Sequence, residues 1–220
     1  MHKTVQNLIS IQSSIKSKLL SLKEKTRIPK IIAVSKTFKI DHIQPLIDYG
    51  HLDYGENKVQ EAIEKWADAK KKNDKIKLHL IGKLQTNKVK FAVKIFDFIH
   101  SLDSEKLAKK ISEEQKKNNT KPKIFIQINL GLETQKSGIV KENLTDFYDL
   151  CIKLDLNIIG IMCIPPFNED SSKYFFEMSN LINSIDSKEL SMGMSSDYLN
   201  AIDHKSTFVR IGSNIFGQRD

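Results

Sequence analysis

Eight short apolar runs, separated by stretches of helical periodicity, constrain this chain more than any other feature of its sequence. The runs fall at residues 30–35, 53–55, 77–81, 96–99, 123–129, 157–163, 190–193 and 208–211. Helical patterns fill most of the gaps, at 40–49, 58–70, 85–93, 105–117, 141–154, 173–186 and 195–201. Parallel neighbours cannot be joined by a tight turn, so a repeated strand-then-helix order implies crossover helices on a parallel sheet. Eight such units in 220 residues fit a barrel on the small side of normal. A doubly wound open sheet is the competitor, but it usually carries a glycine-rich fingerprint after its first strand, and Val34-Ser35-Lys36-Thr37-Phe38 has none. Residues 4–25 place Val5, Leu8, Ile15, Leu19 and Leu22 at helical spacing without Gly or Pro, an amphipathic helix that packs on something. No Pro/Gly/Ser-rich linker divides the chain. The expected fold is therefore α/β, a single (β/α)8 TIM barrel with an additional N-terminal helix, one domain over residues 1–220.

Composition narrows the class. With 40% hydrophobic and 28% charged residues the chain is globular rather than disordered. Its N-terminus lacks a continuous apolar stretch, so neither a signal peptide nor a membrane span is expected. Cys151 and Cys163 are too few and too separated for a disulfide framework or a zinc knuckle; they read as reduced, packed thiols of a cytoplasmic protein with no metal site. The net charge of +8 comes mostly from lysines in short groups, such as 70–72 and 116–117, on segments that look like exposed helix faces. Aromatic residues are not interleaved with them, so a solvated surface is expected rather than a nucleic-acid patch.

In a barrel of this kind, active groups collect at the C-terminal ends of the strands, and phosphates are commonly held by the loops after the last two. Strand seven and strand one are two places apart, roughly 10 Å, a gap that suits one small phosphorylated ring. Lys36 closes the first strand. A lysine there either opens a surface loop or turns inward, where its amine must be used or paired and could form a Schiff base with a carbonyl cofactor. Gly212, after the last strand, lets backbone approach a ligand closely, and the amides of Gly212 and Ser213 can donate to phosphate oxygens. Ser195 or Ser196, after the seventh strand, could cap the next helix and bind phosphate there. Arg210 shares a face with Phe208 and Gly212 and so needs an acceptor inside the barrel mouth. Either a carboxylate such as Glu56 or the ring nitrogen of a pyridine would serve.

These segments carry a resemblance. Ala33-Val34-Ser35-Lys36-Thr37, Tyr54-Gly55-Glu56-Asn57-Lys58-Val59-Gln60-Glu61 and His79-Leu80-Ile81-Gly82-Lys83-Leu84-Gln85-Thr86-Asn87-Lys88 resemble successive signatures of one family. So do Ile126-Gln127-Ile128-Asn129 with Lys136-Ser137-Gly138, Gly160-Ile161-Met162, Leu190-Ser191-Met192-Gly193-Met194-Ser195 and Val209-Arg210-Ile211-Gly212. In order from Ile31 to Gln218, they are similar to the pyridoxal phosphate homeostasis proteins, the YggS/PROSC family. The resemblance implies a single barrel, like the N-terminal domain of bacterial alanine racemase, that holds pyridoxal 5′-phosphate (PLP) as a Schiff base. It implies that Lys36 is the Schiff-base lysine and Arg210 the partner of the pyridine nitrogen. Ser195, Gly212 and Ser213 would hold the phosphate, and Asn57 would line the ring edge. His79 would lie nearby or pack inside the barrel. Lys205 departs from the family's usual glycine, and Cys163 from its usual small residue or threonine.

Two chemistries follow from such a site. A free lysine titrates near 10.4, so about one in a few thousand is neutral at pH 7, and burial beside Arg210 would favour the neutral, attacking amine. The first reading is a non-catalytic carrier that contributes to vitamin B6 homeostasis, expected to be a monomer. Its partners would be PLP and PLP-dependent apoenzymes, with neither nucleic acid nor membrane. The alternative is a PLP-dependent amino-acid racemase. An arginine at the ring nitrogen weakens the ring as an electron sink, and racemisation needs a base on each face. The chain ends at Asp220, leaving no room for a second domain to supply one, and Tyr54, the only tyrosine at a strand end, reads as packing. Lys136 and other basic residues at the mouth could guide the anionic cofactor in.

Overall fold

Strand and helix alternate through the whole chain, in a computed structural model that describes residues 1–22, 27–131 and 137–217. Lys136 lies outside the described residues. Helix α1 (Lys3–Ser21) buries Val5, Leu8, Ile11 and Ile15 along one stripe and ends where Leu22 turns extended; residues 23–25 of the expected helix lie outside the described residues. Then follow β1 (Lys30–Val34), α2 (Ile40–Asp48), β2 (Asp53–Glu56), α3 (Val59–Lys72), β3 (Lys77–Leu80), α4 (Val89–Ile95) and β4 (Phe98–Leu102). The second half comprises α5 (Glu105–Asn118), β5 (Lys123–Ile128), α6 (Leu144–Lys153), β6 (Asn157–Cys163), α7 (Ser171–Leu181), β7 (Glu189–Met194), α8 (Tyr198–Asp203), β8 (Phe208–Ile211) and α9 (Ser213–Phe216). The strands close into a barrel in chain order, with β1 paired in parallel to both β2 and β8. Helix α1 packs on α8 and α9, where the Asn7 amide donates to the Ile215 carbonyl at 2.9 Å. No helix among the described residues is long and apolar enough to cross a membrane.

Alternation along the strands divides the apolar residues into two regions. Outward residues such as Tyr54, Leu78 and Leu80 meet the helices, Trp66 of α3 among them. Inside the barrel a second cluster packs Ile32, Phe98, Phe125, Met162 and Phe208, with Phe208 edge-on to Phe125 at 5.2 Å. The interior is filled by side chains, so open space lies at the strand ends.

Three local expectations are corrected. The fourth strand runs over 98–102 rather than 96–99, because the Phe96 amide still bonds to Ala92 as the cap of α4. Buried His100 and Ser101 continue the strand, and their polarity had marked its end too early. Helix α8 begins at Tyr198, not 195, because the Asp197 carboxylate turns back to accept the Met194 amide at 2.6 Å. Ser195 and Ser196 therefore lie in the loop and cap no helix. Finally, α9 was not expected, since four residues carry no periodicity.

Candidate functional site

The C-terminal ends of β1, β2, β3, β6, β7 and β8 surround a cavity of ≈620 Å³. Lys36, Asn57, Ser195, Arg210, Gly212 and Ser213, the six residues singled out in the sequence, all line it. Ser196 lines it too, while Val34, Phe38, Ile81, Ile164 and Met194 add apolar wall. A mostly apolar cleft with a few convergent polar groups is the usual form of a small-molecule site.

Lys36 is half-buried and held from both sides by α3. On one side, the Lys65 ammonium donates to the Ser35 carbonyl at 2.9 Å. On the other, the Thr37 amide donates to the Glu61 carboxylate at 2.7 Å. Thr37 has a φ of 71°, a left-handed backbone that a β-branched residue rarely adopts, so these bonds maintain a costly turn. Beneath it, Glu56 is fully buried and accepts from Ser35 at 2.7 Å, Trp66 at 2.9 Å and Lys65 at 3.0 Å. Glu56 thus points out of the barrel towards α3, and Arg210 finds its acceptors in Ser191 and Cys163 rather than in this carboxylate.

Arg210 is 4% exposed. Its Nη1 donates to the Ser191 carbonyl at 2.7 Å and the Ser191 hydroxyl at 2.8 Å, and Nη2 donates to the Cys163 carbonyl at 2.9 Å. Burial pulls its pKa down from the ordinary arginine value. Two residues beyond Arg210, the Gly212 amide donates to the Ser195 hydroxyl at 3.2 Å, joining the loops after β7 and β8. Gly193, with φ of 92°, lets α8 approach β7; a Cβ there would sit 2.6 Å from that of Ala201.

His79 is not in the cavity wall. It is fully buried inside the barrel, 3.0 Å from the Asp53 carboxylate and stacked on Phe98 at 4.2 Å. Tyr54 faces outward against Trp66, and its hydroxyl donates to the His51 carbonyl at 3.0 Å. Burial raises the thiol of Cys163 to about 12, which makes it inert.

The donor set fits a phosphorylated pyridine aldehyde. It supplies one amine, one buried guanidinium, hydroxyls where two loops meet and apolar flanks for a ring.

Residues 12–220 match the family described as "Alanine racemase, N-terminal domain". A pyridoxal phosphate homeostasis protein of Aquifex aeolicus is 38% identical over 200 residues, 86% of this chain and 87% of that protein. One of Pasteurella multocida is 35% identical over 226 residues, 98% of this chain and 97% of its own. The structure of PipY from Synechococcus elongatus with PLP bound superposes with a TM-score of 0.83 at 30% identity, over 97% of this chain and 100% of that one. Alanine racemase of Clostridium difficile shares the fold, at 18% identity and a TM-score of 0.68, with 99% of this chain covering 57% of that one. Matched across nearly its whole length, the chain belongs to the pyridoxal phosphate homeostasis proteins, within the alanine racemase N-terminal domain family.

Proposed function

We propose that this chain holds PLP through Lys36 and serves as a non-catalytic carrier in intracellular vitamin B6 homeostasis. The observation that carries this reading is the convergence of Lys36, from β1, and Arg210, from β8, on one cavity with Ser195, Gly212 and Ser213. PLP, when bound, brings an aldehyde that an amine can capture reversibly and a phosphate that needs donors. Lys36 supplies the amine, on a turn braced by Glu61 and Lys65. Arg210 offers the ring nitrogen a permanent donor and no proton-transfer partner, which suits holding over turnover. The serine hydroxyls and loop amides after β7 and β8 take the phosphate, and Asn57 borders the ring. Tyr54, with its hydroxyl engaged outside the barrel, supports the absence of a second base. PLP-dependent apoenzymes are the partners such a carrier would serve.

The test is direct. Soaked in excess PLP and dialysed, the protein should be coloured, bleach with borohydride and yield one labelled peptide, containing Lys36. Lys36→Ala should lose the stoichiometric adduct; a label that persists elsewhere at full stoichiometry would overturn the assignment. Turnover of alanine or serine well above free PLP, abolished by Lys36→Ala, would overturn the carrier role.

A further inference from the structure

A continuous polar chain crosses the interior of the barrel. At the N-terminal mouth, Asp53 lies 3.0 Å from Nε2 of His79. Nδ1 of His79 is 3.0 Å from Nε2 of His100, and Nδ1 of His100 is 2.8 Å from the Ser191 hydroxyl. That hydroxyl accepts Nη1 of Arg210 at 2.8 Å, in the cavity wall. His79, His100 and Ser191 are fully buried. Aromatic rings enclose them: Phe98 stacks on His79 at 4.2 Å, Phe125 on His100 at 4.3 Å, and Phe208 leans on both.

The direction of every link follows from the two ends. Burial holds both imidazoles neutral; it lowers His79 despite the Asp53 hydrogen bond, and His100 further, with His79 and Arg210 adding to it. For Asp53 burial acts upward, but the His79 bond and nearby Lys30 and His51 outweigh it, so the carboxylate stays ionised. A neutral imidazole has one donor and one acceptor nitrogen. Ionised Asp53 can only accept, so His79 carries its proton on Nε2 and accepts on Nδ1. His100 must then donate from Nε2 and accept on Nδ1. Ser191 donates to that nitrogen and accepts from Arg210, which has no acceptor. Every bond runs from guanidinium to carboxylate.

We propose that this one-way chain makes Asp53 the remote counter-charge of Arg210, with His79, His100 and Ser191 as positioning residues that hold the guanidinium against the PLP ring nitrogen. The proposal rests on the placement of Arg210 in the preceding section. Among the described residues, the other acceptors of Arg210 are the uncharged carbonyls of Ser191 and Cys163. Asp197 adds a nearby negative charge, but among the described residues no hydrogen bond reaches it from Arg210, and its Oδ1 accepts the Met194 amide instead. The hydrogen-bonded path from the guanidinium to a carboxylate therefore runs through Ser191 to Asp53, and aligned hydrogen bonds in a dry interior polarise one another. No proton moves; the chain acts through orientation and charge. The other charged neighbours are Lys30 and Asp97 beside His79, and Asp197 beside Arg210.

Two measurements test it. On PLP-free protein, ¹⁵N imidazole NMR should show His79 and His100 both protonated on Nε2 alone at neutral pH, each taking a second proton only below the range of a free imidazole. An Nδ1–H tautomer at either, or a midpoint near 6.5, overturns the chain whatever PLP does. On loaded protein, Asp53→Asn keeps shape and acceptor but removes charge, and Ser191→Ala cuts the middle link. Each should weaken PLP affinity roughly tenfold and shift the absorption of the bound chromophore, with cooperative thermal unfolding retained. The double variant should be no weaker than Ser191→Ala, because the link to Asp53 is already cut. Additive losses, or an unchanged spectrum in both single variants, overturn the proposal. Failure of unaltered protein to take up PLP would instead count against the carrier reading and leave the NMR result standing.

Discussion

Glu61 accepts the backbone amide of Thr37 at 2.7 Å, so a carboxylate on α3 holds the residue that follows Lys36. The same oxygen lies 3.0 Å from Lys65, which holds the Ser35 carbonyl on the other side. The amine that would capture PLP thus hangs from a turn that another element fixes.

Glu61→Ala should release this turn. Loss of a charge-assisted hydrogen bond is expected to weaken PLP affinity about tenfold. Burial acts to raise the Glu61 pKa, but the Thr37 amide and Lys65 outweigh it, leaving it below the ordinary glutamate value. A group lowered on folding contributes stability above its unfolded pKa and loses it as pH falls through the folded one. Thermal midpoints of the native protein and Glu61→Gln should therefore differ at neutral pH and converge in acid. PLP titrations that are the same for native and Glu61→Ala protein would dismiss the clamp.

Lys65→Met should be far more damaging. It strands Glu56, 0% exposed at its side chain, without its cation, at a cost of about 3–5 kcal/mol. Replacing both, as Lys65→Met with Glu56→Leu, removes the charge and the partner together and should recover much of that loss. Urea unfolding decides the matter; a double variant weaker than the single would show that Glu56 matters through Ser35 and Trp66 instead.

Gly82 offers a separate handle on the cavity. A Cβ there would lie 2.4 Å from the Asn57 carbonyl oxygen, so one backbone must move. Gly82→Ala is expected to cost about 1–3 kcal/mol and to displace Asn57 from the ring edge, weakening PLP binding. Gly50→Ala is the control: its φ of 94° strains a side chain but nothing lies within 4 Å. If both variants bind PLP alike, Asn57 does not depend on this contact.

The barrel and five of the six cavity residues could be read from the chain because each depends on a local pattern, such as an apolar run, a glycine after a strand or an arginine two residues from a phenylalanine. Asn57 comes only from the family resemblance. Ile81 follows the same inward alternation as His79 and could have been found. Met194 could not, since a register shift between β7 and β8 turns residues 191 and 194, three apart, to the same interior. The brace on Lys36 was hidden for another reason. Glu61 and Lys65 form an i,i+4 pair that looks like an ordinary solvated helix face, and only the packing of α3 against β1 gives it a second role. The polar chain needs the register of five strands, because Asp53, His79, His100, Ser191 and Arg210 come one from each.

That chain also makes a prediction about stability. His79 and His100 have pKa values lowered by burial, so the folded protein keeps both neutral at pH values where the unfolded chain protonates them. Below about pH 6.5 the unfolded state then binds more protons than the native one, and stability falls as pH drops. Above that pH neither state binds them, and these two groups add no dependence. Each should contribute a slope approaching about 1.4 kcal/mol per pH unit on the acid side. Urea midpoints measured from about pH 8 to about pH 5 should be level at first and then decline, before most carboxylates begin to titrate. His100→Phe, which keeps an aromatic ring against Phe125, should lessen that decline without abolishing it, since His79, and His51 and His204, whose pKa values burial also lowers, still add to it. A native profile that stays level down to about pH 5 would mean that the buried imidazoles are charged in the folded protein, and the one-way order of donors from Arg210 to Asp53 would fail with it.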